Sequence, residues 1–134
     1  MSTQLPQGFR ASGVAAGIKS SGAKDVALIV NDGPLKFGTA VFTTNQIVAA
    51  PVTWSHQVIR DSEVAAVLLN SGGANACTGP EGFADTHRSA ELVAKLLQVS
   101  ASDVGICSTG LIGMRLPMSA MEVGIGKEIG RAHV

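Results

Sequence analysis

Val64-Ala65-Ala66-Val67-Leu68-Leu69 runs without a break into Asn70-Ser71-Gly72-Gly73-Ala74-Asn75-Ala76-Cys77-Thr78-Gly79-Pro80, and this stretch decides how the chain folds. Six consecutive apolar residues fit a strand covered on both faces, the glycine-rich loop permits close backbone approach, and Pro80 suits a first helical position. Thr78 or Gly79 is the candidate cap, and Glu81 in the first turn complements the helix dipole. The helix is predicted from about Pro80 to about Leu97. Phe83, His87, Ala90, Ala94 and Leu97 recur at steps of four and three, Val93 and Leu96 widen the apolar stripe, and Glu91 and Lys95 pair four apart on the wet side. A buried strand followed by an amphipathic helix requires a sheet for that helix to lie on.

The same unit recurs downstream. After the polar break Ser100 to Asp103, the strand Val104-Gly105-Ile106-Cys107 ends in Ser108-Thr109-Gly110-Leu111-Ile112-Gly113, and Pro117 can open a helix to roughly Val123. Upstream, Gly8 to Ile18 mixes apolar residues with glycines and suits a bulged strand, Ser20 to Gly22 is a turn, and Val26-Ala27-Leu28-Ile29-Val30 is a buried strand. Asn31-Asp32-Gly33-Pro34 then predicts a hairpin with a return strand from Phe37 to Phe42. Pro51 confines Ala49 to Trp54 to an edge or a strand start, and Ser55 can cap a short helix through Ile59. Hairpin-like at the start and strand-then-helix later, the chain is expected to be α/β of the α+β type, a mixed sheet packed with helices.

At 134 residues the chain is one domain's worth. Apolar residues make up 46% and charged residues only 15%, against a typical charged share of about 25%, so polar surface is scarce and the chain reads as part of a larger or obligate assembly. Ten basic residues balance ten acidic ones without forming a block, which gives no electrostatic footprint for nucleic acid or an anionic membrane. No apolar run approaches the length of a membrane span, the N-terminus lacks a signal-peptide pattern, and the expected compartment is the cytoplasm. Cys77 and Cys107 lack metal-ligand spacing and are expected as free, buried thiols.

Four constellations can be weighed for chemistry. The Asn70 to Gly79 loop before a helix could hold a small anion, but it has neither dinucleotide G-x-G-x-x-G spacing nor a terminal Gly-Lys-Ser/Thr. The structural alternative is that Gly72 and Gly73 allow close packing while Asn70 and Asn75 hydrogen-bond loop carbonyls. Cys77 with His87 is a conceivable thiol and base, without an evident residue to orient the imidazole; the alternative is a core histidine and a small apolar thiol. Glu81, Asp85 and Arg88 read as a solvated charge cluster. Ser108-Thr109-Gly110 ends a strand in a hydroxyl beside a flexible peptide, and could aim two donors at a developing oxyanion or simply terminate the strand.

Further stretches join these into a pattern: Gly8-Phe9-Arg10-Ala11, Gly13-Val14-Ala15-Ala16-Gly17-Ile18-Lys19, Val41-Phe42-Thr43-Thr44-Asn45, Ala49-Ala50-Pro51-Val52 and Leu116-Pro117-Met118. With the Asn70 to Gly79 loop and the Ser108 to Gly113 turn, they resemble the N-terminal part of the ornithine acetyltransferase family, the bifunctional glutamate N-acetyltransferases of arginine biosynthesis. The resemblance implies the fold of that family's N-terminal half. It also implies a precursor that cuts itself between an alanine and a threonine into alpha and beta subunits, which assemble as an alpha2beta2 heterotetramer. The new N-terminal threonine is the nucleophile; acetyl passes from N2-acetyl-L-ornithine to L-glutamate, and bifunctional members also accept acetyl-CoA. No metal or organic cofactor is implied.

By the same resemblance Thr109 and Gly110 form the oxyanion hole. The family's Met-Thr-Thr-Asp segment, lysine-glycine region and Ala-Thr cleavage site have no counterpart here, so no nucleophile is expected in this chain. Alone, it is expected to be inactive and to expose strand edges. The remaining alternative is a small-anion-binding or assembly module using the Asn70 to Gly79 loop. Residues 1–127 are expected to be alpha-subunit sequence. Residues 128–134 resemble translated sequencing-adapter read-through and are expected to be a non-native tail, with the gene continuing beyond.

Overall fold

Leu28 and Leu68 are register partners on adjacent strands, neither has any solvent exposure, and the helices are arranged to cover them. Burying a leucine completely contributes roughly 1.5–3 kcal/mol, so this pair anchors the sheet. The computed structural model describes residues 4–132, with side chains as far as Glu128. Four strands, β1 (Phe9–Val14), β2 (Val26–Asn31), β3 (Ala66–Ser71) and β4 (Val104–Thr109), lie in the order β1-β2-β3-β4. The β1/β2 and β2/β3 pairs are antiparallel and β3/β4 is parallel. Three helices complete the fold: α1 (Ala50–Val58), α2 (Gly79–Leu97) and α3 (Met118–Ala132). The expected mixed sheet with helices is the observed one.

Alternation fixes which face is covered. Val26, Leu28 and Val30 of β2, Ala66 and Leu68 of β3 and Val104 and Ile106 of β4 meet Ala90, Val93 and Ala94 of α2 and Met121 and Ile125 of α3 in one core. The opposite face, carrying Ile29 and Val67, borders a cavity of about 450 Å³ lined also by Pro51, Val52 and Val58 of α1 and by Phe37, Val41 and Phe42 from the segment between β2 and α1. Val41 is 98% exposed, and Leu35, Phe37 and Ile47 are also open to solvent. The outer edge of β4 is partly covered by α1, while β1 forms the other edge of the sheet. Trp54 Nε1 donates to the Val104 carbonyl at 2.8 Å, while Ser55 Oγ donates to the Ile106 carbonyl at 2.7 Å and accepts from the Ile106 N–H at 2.9 Å.

Several local expectations change. The turn after β2 forms, with Gly33 N–H donating to Asn31 Oδ1 at 2.9 Å, but Phe37 to Phe42 is not a strand and makes only an isolated bridge from Phe37 to Glu63. Both edges of β2 are already taken by β1 and β3, which leaves no ladder for a third partner. Ala49 to Trp54 is helical rather than extended: Ala49 is the extended cap and Pro51 sits in the first turn of α1, where a missing N–H costs nothing. Ser55 is therefore mid-helix, not a cap. Cys77 and Cys107 are free as expected, yet exposed rather than buried.

Helix α2 begins and ends as predicted, but its buried face is rotated. Thr86 and Ser89 are buried with Ala90, Val93 and Ala94, whereas His87 and Leu96 are exposed. Small hydroxyl residues can face the core because each hydroxyl is satisfied within the helix: Ser89 Oγ donates to the Asp85 carbonyl at 2.8 Å and Thr86 Oγ1 to the Gly82 carbonyl at 3.2 Å. Asp85 is buried too, so the solvated cluster proposed for it does not exist. Helix α3 outruns the predicted end at Val123 and includes the start of the 128–134 segment, of which His133 and Val134 lie outside the described residues. Glu128 is fully buried and its carboxylate has no hydrogen-bond partner among the described residues; the packing offers no account of it.

Candidate active site

Parallel pairing of β3 and β4 brings Asn70 opposite Ser108 and Ser71 opposite Thr109, so the two sequence signals emerge side by side at the carboxyl ends of neighbouring strands. That is where open α/β sheets place ligands. The chains leaving the strands stay together. Gly73 N–H donates to the Thr109 carbonyl at 3.1 Å, Ala74 N–H to the Leu111 carbonyl at 2.9 Å, and Gly113 N–H to the Ala76 carbonyl at 2.8 Å. Gly110 is held against the other loop so closely that a Cβ built on it would lie 2.5 Å from Gly73 N and 2.7 Å from the Gly72 carbonyl carbon, and its φ is +137°. Only glycine satisfies both conditions.

Two buried asparagines fix the loop. Asn75, with a φ of 52° that asparagine tolerates better than most residues, donates from Nδ2 to the Gly82 carbonyl at 2.8 Å and to Thr86 Oγ1 at 2.9 Å. Its Oδ1 accepts from Thr78 Oγ1 at 2.6 Å, which is why the Thr78 hydroxyl does not cap α2. Asn70 donates to the Gly73 carbonyl at 3.2 Å and accepts from Ser108 Oγ at 2.5 Å. Two loop amides are thus committed to carbonyls of the 108–113 segment, and both asparagine side chains are engaged within the loops.

Thr109 and Gly110 differ from these neighbours. Thr109 is the last residue of β4, exposed, and lines a cavity of about 230 Å³ shared with Asn70, Ser71, Ser108 and Asp25. Among the described residues, neither the Thr109 hydroxyl nor the Gly110 N–H has a hydrogen-bond partner. They are two adjacent donors left uncommitted among the described residues, a suitable arrangement for receiving negative charge.

Two carboxylates brace the surroundings, and the sequence pattern gave no sign of either role. Burial alone would raise the pKa of Asp25, but backbone N–H groups of Ala16, Lys19, Ile18 and Gly17 stabilise the anion and hold it below the usual carboxylate value. Asp25 Oδ1 accepts from Ala16 at 2.6 Å, and Oδ2 accepts from Ile18 at 2.7 Å and Lys19 at 3.0 Å, which seats Ile18 and Lys19 over Gly72. Asp85 receives a bidentate pair from Arg115, at 2.9 Å from Nε and 2.8 Å from Nη2, tying the loop beyond Gly113 to α2.

The thiol alternative finds no geometry. His87 stacks on Trp54 at 5.0 Å between ring centroids and sits 3.4 Å from Glu91 Oε1, and no hydrogen bond joins it to Cys77 among the described residues. The other thiol, Cys107, is partly desolvated although the residue is exposed, and this pushes its pKa up, away from the thiolate form. Asp61, Glu63 and Asp103 bring ligand atoms within 4.8 Å of one another, but they are at least partly exposed, and Asp103 precedes the opposite end of β4 from Thr109.

A model of the ArgJ family matches residues 10–133. The arginine biosynthesis bifunctional protein ArgJ of Streptomyces coelicolor is 53% identical over 131 residues, covering 98% of this chain and 34% of that protein. Its counterpart in Mycobacterium tuberculosis is 55% identical over 133 residues, covering 96% of this chain and 33% of that protein. The chain thus spans about a third of the length of these relatives. Among solved structures, ornithine acetyltransferase from M. tuberculosis in complex with ornithine matches with a TM-score of 0.92 at 55% identity, covering 93% of this chain and 67% of that one. The ArgJ protein of Bacillus halodurans matches with a TM-score of 0.85 at 35% identity, covering 95% and 69%.

Proposed function

The chain belongs to the ArgJ family, and we propose that it is the N-terminal third of an acyltransferase that moves acetyl from N2-acetyl-L-ornithine to L-glutamate. The observation that carries this reading is the pair of uncommitted donors on Thr109 and Gly110 at the carboxyl end of β4. When a nucleophilic hydroxyl attacks the acetyl carbonyl, charge gathers on the carbonyl oxygen. The Thr109 O–H and Gly110 N–H stabilise that oxyanion, and the bond to the amine breaks as the amine takes up a proton. Ornithine leaves, the acetyl group stays on a threonine, and the amino group of glutamate reverses the sequence. Acetyl-CoA can enter as an alternative donor, and no metal or organic cofactor takes part.

The attacking threonine belongs to sequence beyond this chain. The matched stretch fills a third of the curated M. tuberculosis sequence but two thirds of the crystallised chain from that species, so the latter is about half as long, which supports a precursor divided into two subunits. In this reading the chain is alpha-subunit sequence, its open sheet face is covered by the rest of the enzyme, and the assembled alpha2beta2 form works in the cytoplasm. The test is an acetyl-transfer assay with N2-acetyl-L-ornithine and glutamate. A full-length enzyme carrying this chain as its N-terminal third is active and the 134-residue chain is not; turnover by the isolated chain would overturn the proposed division of labour.

A further inference from the structure

We propose that Asn70 is a positioning residue for the oxyanion site, setting the direction of the Gly110 N–H through Gly73; this rests on the reading of Thr109 and Gly110 given above. The Thr109 carbonyl and the Gly110 N–H belong to one peptide unit, which is planar and trans, so they point in opposite directions. Gly73 N–H holds that carbonyl at 3.1 Å. Wherever Gly73 sits, the Gly110 N–H is aimed away from it.

Gly73 has no side chain by which packing could locate it, and Gly72 before it adopts a φ of +103°. A polar tether does the work instead. Asn70 Nδ2 holds the Gly73 carbonyl at 3.2 Å, while Asn70 Oδ1 accepts from Ser108 Oγ, the side chain immediately before Thr109, at 2.5 Å. One carboxamide therefore closes a ring from the end of β3, through Gly73 to Thr109, and back through Ser108. Asn70 is only 5% exposed, so no water competes freely for either bond. Its effect on the reaction passes through Gly73, because the Thr109 hydroxyl and the Gly110 N–H are the donors that meet the oxyanion.

The experiment measures kcat and KM for acetyl transfer, with a melting curve, in a full-length enzyme carrying this chain as its N-terminal third. Asn70→Asp has nearly the same shape and keeps the acceptor for Ser108, but as a carboxylate it has no proton to give the Gly73 carbonyl. Asn70→Ala removes both bonds. Each variant is expected to lower kcat about tenfold or more while KM stays within about twofold, since misdirecting a donor weakens transition-state binding and leaves ground-state binding alone. Thr109→Ala in parallel is expected to lose about a hundredfold. An Asn70→Asp enzyme with kcat within about twofold of the parent, beside an impaired Thr109→Ala, overturns the role of Asn70 and leaves the oxyanion hole standing. A rise in KM with kcat unchanged overturns it as well. An unimpaired Thr109→Ala removes the oxyanion hole itself, and the proposal with it. Should Asn70→Ala not fold, Asn70→Asp decides.

Discussion

The paired loops at the carboxyl ends of β3 and β4 and the open face of the sheet are built on opposite terms. In the loops, three interloop backbone bonds and the side-chain bonds of Asn70 and Asn75 hold the two segments together around Thr109 and Gly110, whose own donors are uncommitted among the described residues. On the open face, Ile29 and Val67 border a cavity of about 450 Å³ that Phe37, Val41 and Phe42 only partly enclose together with Pro51, Val52 and Val58 of α1. One region is complete within this chain apart from what it offers a reacting group. The other leaves apolar side chains such as Val41, Phe37 and Ile47 open to solvent. Substitutions should therefore be costly in the first region and nearly silent in the second, and four of them test this in descending order of effect.

Gly110→Ala should cost most. The added methyl would collide with the Gly72-Gly73 backbone at a φ that L residues avoid, and the expected loss is about 3 kcal/mol or more, read from thermal unfolding of the full-length enzyme. Unchanged stability would show that the loops are free to separate. Asn75→Ala comes next. It removes bonds to Gly82, Thr86 and Thr78 inside the core, and should cost about 2–3 kcal/mol by the same measurement.

Asp25 gives a smaller effect that depends on pH. Its folded-state pKa lies below the unfolded value, so the unfolded chain binds the proton more readily. The stabilisation is fully present above the unfolded pKa of about 3.9 and is lost as pH falls through the lower folded value. Asp25→Asn should flatten the fall in stability over that acid range, and a variant whose acid unfolding curve overlays the parent's would remove Asp25 as the clamp of residues 16–19. Val41→Thr should do least. At 98% exposure it should change stability by less than about 0.5 kcal/mol while weakening the binding of a hydrophobic dye to the isolated chain. A large loss of stability there would mean the face is already covered.

The same contrast governs what can be read from the sequence. The strand within 26–31 and the bounds of the helix from 79 to 97 were legible from an apolar run and from the Pro80 start, although one face of the strand is partly exposed and the buried face of the helix is rotated, and the Asn70 and Asn75 bonds to carbonyls were legible as loop chemistry. Phe37 to Phe42 misled because its apolar residues mimic a strand while facing the open side, where no ladder is available. Pro51 is compatible with both a strand edge and a first helical turn, and only the bonds that α1 makes to β4 choose between them. Asp85 could not be placed from its helical neighbours, because its burial depends on Arg115, thirty residues on. Thr109 and Gly110 were visible as a motif, but the freedom of their donors appears only once the loop bonds are assigned.

The central claim is that Thr109 offers its hydroxyl to the oxyanion of acetyl transfer. Its most direct test is the kcat of Thr109→Ala in a full-length, correctly folded enzyme carrying this chain. Loss of one such donor removes about 3–4 kcal/mol of transition-state stabilisation, so kcat should fall at least about a hundredfold with KM for N2-acetyl-L-ornithine little changed. A folded Thr109→Ala enzyme that turns over at the parent rate would contradict the account.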